Sequence, residues 1–146
     1  MKESILCIYD HENIFSILHY FDTLFDPALS HRFTNLAKYA EKLACNAIFY
    51  VAKDTDFLGF IAFYANDNDS RTAYLILLAV QPVAQSKGLA KKLLDLCIET
   101  SKNNGMLTLK LEVRKNNCKA IRFYKRNGFE FCGEASFESV YMVKSL

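Results

Sequence analysis

Residues 73–90 constrain this chain more than any other stretch. The run Ala73-Tyr74-Leu75-Ile76-Leu77-Leu78-Ala79-Val80 reads as a buried strand. Beyond it, Leu89-Ala90-Lys91-Lys92-Leu93-Leu94-Asp95-Leu96 carries the apolar spacing of a helix. Between them lies Gln85-Ser86-Lys87-Gly88. A strand feeding a glycine-containing turn that opens a helix is a phosphate site in outline. The free N–H groups of the first helical turn point at the ligand, and the dipole favours an anion there. Gly88 removes the Cβ that would hold a diphosphate off the backbone, and Lys87, Lys91 and Lys92 add positive charge. No Gly-x-Gly-x-x-Gly is present, and Lys87 precedes Gly88, so the dinucleotide fingerprint and the P-loop are both excluded.

A second pattern occupies residues 107–131. Leu107, Leu109, Leu111 and Val113 alternate with Thr108, Lys110, Glu112 and Arg114, the period of a strand. Asn116 or Asn117 then offers a helix N-cap. Ala120, Ile121, Phe123 and Tyr124 recur at helical spacing, and Asn127-Gly128 ends the helix with residues that tolerate the left-handed conformation. Phe129-Glu130-Phe131 begins another strand.

Taken together, Gln85-x-x-Gly88-x-Ala90 and Leu111-Glu112-Val113…Asn117-x-x-Ala120-x-x-x-Tyr124…Gly128-Phe129 resemble the two halves of the signature of the GNAT superfamily of acyl-CoA-dependent N-acetyltransferases. The resemblance implies a mixed α/β sandwich in which two central parallel strands splay apart. It implies acetyl-CoA as acyl donor, its pyrophosphate held by the amides of Gln85, Ser86, Lys87, Gly88, Leu89 and Ala90. Its pantetheine arm would lie against the backbone of Leu78, Ala79 and Val80 as an added strand would, with Asn117 and Tyr124 nearby. Gln85 stands where the family often has Arg, so Lys87 or Lys91 is expected to supply the missing charge.

The chemistry asked of such a site is specific. The amine must attack in its neutral form, although a free alkylammonium has a pKa of about 10.4. The departing thiolate needs a proton. In the family, the tyrosine at the position of Tyr124 protonates that sulfur; the alternative is that Tyr124 only packs. Some members of the family use a carboxylate at the position of Glu112 as the base, and others use a residue on the preceding strand or none. The strand ending at Val80 carries no carboxylate here, so the resemblance makes Glu112 the candidate. Partial burial is expected to raise its pKa; a solvated strand glutamate is the alternative. The acceptor pocket is expected from residues near Phe21–Arg32 and Phe131–Val140, with Phe21, Asp22, Phe25, Asp26, His31, Arg32, Glu134, Phe137 and Glu138 on offer. Acids with aromatics suit a small cationic amine, while Arg32 suits a carboxylate or phosphate.

The chain's 146 residues make one domain, 1–146. The order of signals is β-α-α-β-β-β-α-β-α-β-β, with a first helix capped by Asp10 whose face is Ile14, Ile17, Leu18 and Phe21, a second that begins at Ser30 and carries Phe33 to Leu43, and a final hairpin. The strand ending at Val80 and the strand Leu107–Val113 are expected to be parallel neighbours joined by a right-handed crossover. A net charge of +2 argues against nucleic acid, and the basic run Lys115–Arg126 reads as a solvated helix face. Five cysteines without C-x-x-C pairing exclude a disulfide framework or zinc site, with Cys7, Cys45 and Cys97 expected to be buried. With no signal peptide and no apolar run of membrane length, a cytoplasmic monomer or homodimer is expected, taking acetyl-CoA and an amine acceptor as partners. Two readings remain: an N-acetyltransferase acting on a primary amine of a small molecule or peptide, and an acyl-CoA-binding sensor whose catalysis has lapsed.

Overall fold

The computed structural model describes residues 3–146. The elements are β1 (Ser4–Cys7), α1 (His11–Phe21), a short 3-10 turn (Asp22–Leu24), α2 (Leu29–Arg32), α3 (Leu36–Asn46), β2 (Ile48–Lys53), β3 (Phe57–Tyr64), β4 (Thr72–Val80), α4 (Pro82–Gln85), α5 (Leu89–Asn103), β5 (Thr108–Arg114), α6 (Cys118–Arg126), β6 (Glu130–Glu134) and β7 (Ser139–Ser145). Local chemistry sets most of the boundaries. Asp10 caps α1 by accepting from the Asn13 N–H at 3.0 Å, and Asn117 caps α6 by accepting from the Ala120 N–H at 3.2 Å. The helix expected from Ser30 to Leu43 is two helices. Phe33 takes an extended conformation after α2, and Asn35 starts α3 afresh by accepting from the Lys38 N–H at 3.0 Å, so capping overrides the apolar period.

The seven strands form one sheet in the order β1-β2-β3-β4-β5-β7-β6. β4 and β5 are the parallel pair; the other described neighbours are antiparallel. β7 sits between β5 and β6, so the last hairpin returns its second strand to β5. Helices cover both faces. Ile14, Ile17, Leu18 and Phe21 of α1, with Ala40 and Leu43 of α3, pack on Phe49, Val51, Phe60, Ala62 and Leu77. On the other face Leu89, Leu93, Leu94 and Cys97 of α5, with Tyr124 of α6, pack on Ile61, Phe63, Leu75, Leu109, Leu111 and Met142. Each fully buried Leu, Ile or Phe contributes about 1.5–3 kcal/mol. Of the three cysteines expected inside, only Cys97 is buried; Cys7 is half-buried, Cys45 is exposed, and all five are free thiols.

One irregularity in β4 shapes everything that follows. Ala62 pairs with Leu77 but Phe63 pairs with Leu75, so Ile76 is an extra residue, a β-bulge. Strict alternation would place Leu75 and Leu77 on one face. The bulge separates them: Leu75 joins the α5 core and Leu77 the α1–α3 core. At the same point β4 parts from β5. Their parallel ladder runs from Thr72–Thr108 to Leu75–Leu111 and stops there, although β4 continues to Val80 and β5 to Arg114.

Candidate active site

The two halves of the sheet diverge because each keeps its outer partner. Beyond the bulge β4 stays paired to β3 as far as Val80, and β5 stays paired to β7 as far as Arg114. The gap between them is a cleft of about 840 Å³ lined by Ile76–Val80, Glu112–Arg114, Asn117, Ala120 and Tyr124, and by Phe25, Asp26 and Arg32 from the segment after α1. Residues of both cores line it, so the cleft joins the two faces of the sheet. The splayed strands expected from the sequence are therefore present. A contiguous groove of about 550 Å³ runs between α5 and α6, lined by Leu78, Val80, Gln85, Gly88, Ala90, Lys91, Lys119, Phe123, Arg126 and Asn127, among others.

Gly88 is the residue before α5, with φ of 78°, and α5 has no side-chain cap. The N–H groups of Leu89, Ala90 and Lys91 in its first turn thus lack intrahelical partners, and Gly88, Ala90 and Lys91 line the end of the groove. The open edge of β4 and these uncapped amides fit a long, diphosphate-bearing thioester. Leu78, Val80, Gln85, Gly88, Ala90, Asn117 and Tyr124 line the groove, and Ala79 lines the cleft. Three expected contacts behave differently. Leu89 is 3% exposed and packs into the core with Leu93 and Cys97, so its side chain serves packing. Ser86 and Lys87 are exposed on the turn but are not among the residues lining the groove.

Gln85 also departs from expectation. Its Nε2 donates to the Val80 carbonyl at 3.1 Å, and its Oε1 accepts from Lys119 Nζ. The amide therefore ties the turn to the end of β4 and to α6. Lys91 reaches the groove but is ion-paired with Asp95 at 3.0 Å. The additional positive charges there are Lys119 and Arg126, from the helix face that the composition suggested was merely solvated. Their signal lay in spacing: Lys119, Ala120, Phe123, Arg126 and Asn127 share one side of α6.

Tyr124 lies in the last turn of α6, where its ring meets Phe123 and Phe129 edge-on, both at 5.4 Å between centroids. Its hydroxyl bonds to no side chain among the described residues, and the residue lines both cavities. Burial, with a smaller contribution from Cys97, pushes the phenol well above the ordinary tyrosine range, so it is neutral at pH 7.

Glu112 is across the cleft. Leu111 and Val113 turn into the α5 core, which puts Glu112 on the α1 face. It is exposed, contrary to the partial burial expected, because the departure of β4 leaves that face of β5 open. Ser139 on β7 holds it, donating to Glu112 Oε2 at 2.6 Å. Ser139 is 4% exposed and lies 2.9 Å from the Ser136 hydroxyl. The Tyr74 phenol shares this chamber, and burial followed by the Glu112 charge pushes it up to about 12.

Of the acceptor-pocket candidates, Phe25, Asp26, Arg32 and Glu138 line the cleft. Phe21 is buried against Phe60, with ring centroids 5.2 Å apart. Asp22 accepts from the Ser30 N–H at 2.7 Å, a bond that holds its carboxyl below the usual range. Glu134 pairs with Lys115 at 2.8 Å. His31 and Phe137 are exposed outside the cleft lining.

Residues 12–129 match the model of the Acetyltransferase (GNAT) family. The chain belongs to the GNAT acetyltransferase family. The spermine/spermidine N(1)-acetyltransferase of Bacillus subtilis (strain 168) is 34% identical over 98 residues, covering 62% of this chain and 64% of that protein. A ribosomal protein bS18-alanine N-acetyltransferase of Haemophilus ducreyi is 46% identical over 57 residues, 39% of each chain. This chain thus spans less than two thirds of the length of either relative. Ard1 from Thermoplasma volcanium superposes with a TM-score of 0.81 at 22% identity, over 100% of this chain and 99% of that one, which establishes the shared GNAT fold. Among the described residues no helix is long and apolar enough to cross a membrane.

Proposed function

We propose that this GNAT protein is an acetyl-CoA-dependent N-acetyltransferase that moves the acetyl group directly onto a primary amine of a small molecule or peptide. The observation that carries the proposal is the through-cleft between β4 and β5, with the Tyr124 phenol toward one side and the Glu112 carboxylate toward the other. The acceptors named for the relatives, spermine or spermidine and an alanine of ribosomal protein bS18, support an amine without choosing between these classes.

Acetyl-CoA would supply an acetyl group activated as a thioester whose sulfur departs as a thiolate. The N–H groups at the start of α5, with Lys119 and Arg126, hold the phosphate end. The free edge of Leu78–Val80 aligns the arm between the strands. Tyr124 retains its phenolic proton throughout the neutral range and donates it on the sulfur side. Glu112, oriented by Ser139, takes the ammonium proton on the opposite side. Holding both reactants in one cleft contributes further, since effective molarities for well-oriented groups reach about 10⁵ M or more.

The test is calorimetric titration with acetyl-CoA and with CoA, followed by thiol release in the presence of spermidine and of a peptide with N-terminal alanine. Micromolar binding with amine-dependent thiol release is expected. Binding without release for any amine would make the protein an acyl-CoA-binding module, and no binding at millimolar ligand would remove both readings.

A further inference from the structure

The acceptor side of the cleft contains an arrangement that a plain polyamine does not explain. Two guanidinium groups, Arg32 and Arg114, line it together with Asp26, Glu112 and Glu138. Arg32 is fixed from behind: its Nε donates to the Pro27 carbonyl at 2.8 Å and its Nη2 to the Asp26 carbonyl at 3.2 Å. Those bonds leave the remaining N–H groups of the fork available. Partial desolvation and the nearby positive charge of Arg114 both lower the Arg32 pKa, as two cations sharing one chamber require.

Arg114 is itself only half engaged. Its Nη2 approaches Glu138 Oε2 at 3.3 Å, while its Nε is shielded from solvent and has no acceptor among the described residues. A buried donor without a partner costs on the order of 1–3 kcal/mol, and the side chain as a whole stays 35% exposed, so the other N–H groups of its guanidinium are the ones a ligand meets. Glu112 stands on the same face of β5 as Arg114, two residues away, on the side where the amine is to be deprotonated.

Resting on the N-acetyltransferase reading, we propose that the acceptor is an amine that also carries a carboxylate, an amino acid or short peptide acid, with its ammonium toward Glu112 and its carboxylate between Arg32 and Arg114. A carboxylate offers the two coplanar oxygens that a guanidinium edge matches, and it relieves the repulsion between the two cations. The three acidic residues in the same chamber oppose a doubly charged phosphate. A polyamine extended past Glu112 would instead bring its second ammonium against Arg32.

The experiment measures kcat/KM for alanine, lysine and 4-aminobutyrate against their carboxamides, which keep size and lose the charge. At least one acid should exceed its carboxamide about tenfold or more. Arg114→Gln and, separately, Arg32→Lys should reduce that ratio toward one by raising KM for the acid with little change in kcat. Equal rates for every acid and carboxamide would overturn the subsite while leaving the acetyltransferase reading intact. If no amine is turned over, spermidine and the alanine peptide included, that reading has failed instead. The subsite then stands or falls on calorimetry of the CoA complex with N-acetylalanine against N-acetylalaninamide. Carboxylate-dependent binding lost in Arg114→Gln would sustain it, and equal binding or none would end it.

Discussion

Replacing Tyr124 with Phe removes a single oxygen from the cleft, and the structure sets what that removal should and should not do. The ring's edge-on contacts to Phe123 and Phe129 survive. The hydroxyl bonds to no side chain among the described residues, so no buried partner is orphaned and folding stability should change by less than about 0.5 kcal/mol. The cofactor groove is otherwise lined by Gly88, Ala90, Lys119 and Arg126, which the change does not touch, so the acetyl-CoA Kd should stay within about threefold. Catalysis is another matter. A positioned proton donor contributes typically 10²–10⁴-fold, and each tenfold is about 1.4 kcal/mol of barrier. We expect kcat to fall by about 10²-fold or more, or roughly 3 kcal/mol, with KM for the amine nearly constant. Stopped-time measurement of thiol release, calorimetry with acetyl-CoA and thermal unfolding would be run on the same preparation. A variant that turns over within threefold of the wild type would refute the proton-donor role. A variant that loses binding and stability together would show that Tyr124 serves packing.

Glu112→Gln should lower kcat about 10²-fold and Ser139→Ala about tenfold, whereas the double variant should be no slower than Glu112→Gln alone if the 2.6 Å hydrogen bond makes them one unit. Gly59→Ala would place a Cβ 2.9 Å from the Ala79 carbonyl oxygen and 3.2 Å from Val80 Cγ2. It should cost about 1–3 kcal/mol in denaturant unfolding and weaken acetyl-CoA binding, because that backbone is the wall of the cleft. Burial pushes the Cys97 thiol from 9.0 up to about 12 and the Tyr74 phenol from 10.0 up to about 12. Raised folded-state values mean that the unfolded chain loses these protons first, so stability is full below pH 9 and falls above it. The slope is about 1.4 kcal/mol per pH unit for each group. Urea titrations under reducing conditions should show the decline beginning one unit later in Cys97→Val, and an unchanged onset would contradict the assignment.

The elements legible in the sequence were those whose cause is local. Asp10 and Asn117 declare helix starts because a cap needs only a side chain and an N–H three residues on. The turn at Gln85–Ala90 and the strand around Glu112 were legible because period and glycine placement act over a few residues. The break between α2 and α3 is local too, but Asn35 competes there with an apolar stripe that continues through it, so periodicity alone joins the two helices. Arg126 and Lys119 were hidden for a different reason. Charge composition reports how many cations a helix carries, and it does not report that α5 lies against one side of that helix.

The bulge at Ile76 is the clearest case of information held in the pairing. Eight consecutive apolar residues give no alternation from which a shift of phase could be read. The shift exists only relative to β3, where Ala62 and Phe63 answer Leu77 and Leu75. Yet this one residue decides the function of the region. It sends Leu75 and Leu77 into opposite cores, ends the ladder with β5 and opens the cleft. The residues that then meet across the opening, Arg32 from α2 and Glu112 and Arg114 from β5, are about eighty positions apart in the chain. Their juxtaposition follows from the bulge and from β7 holding β5 in place. No motif in either segment announces it, because the chamber that reads the acceptor exists only once the sheet has formed and split.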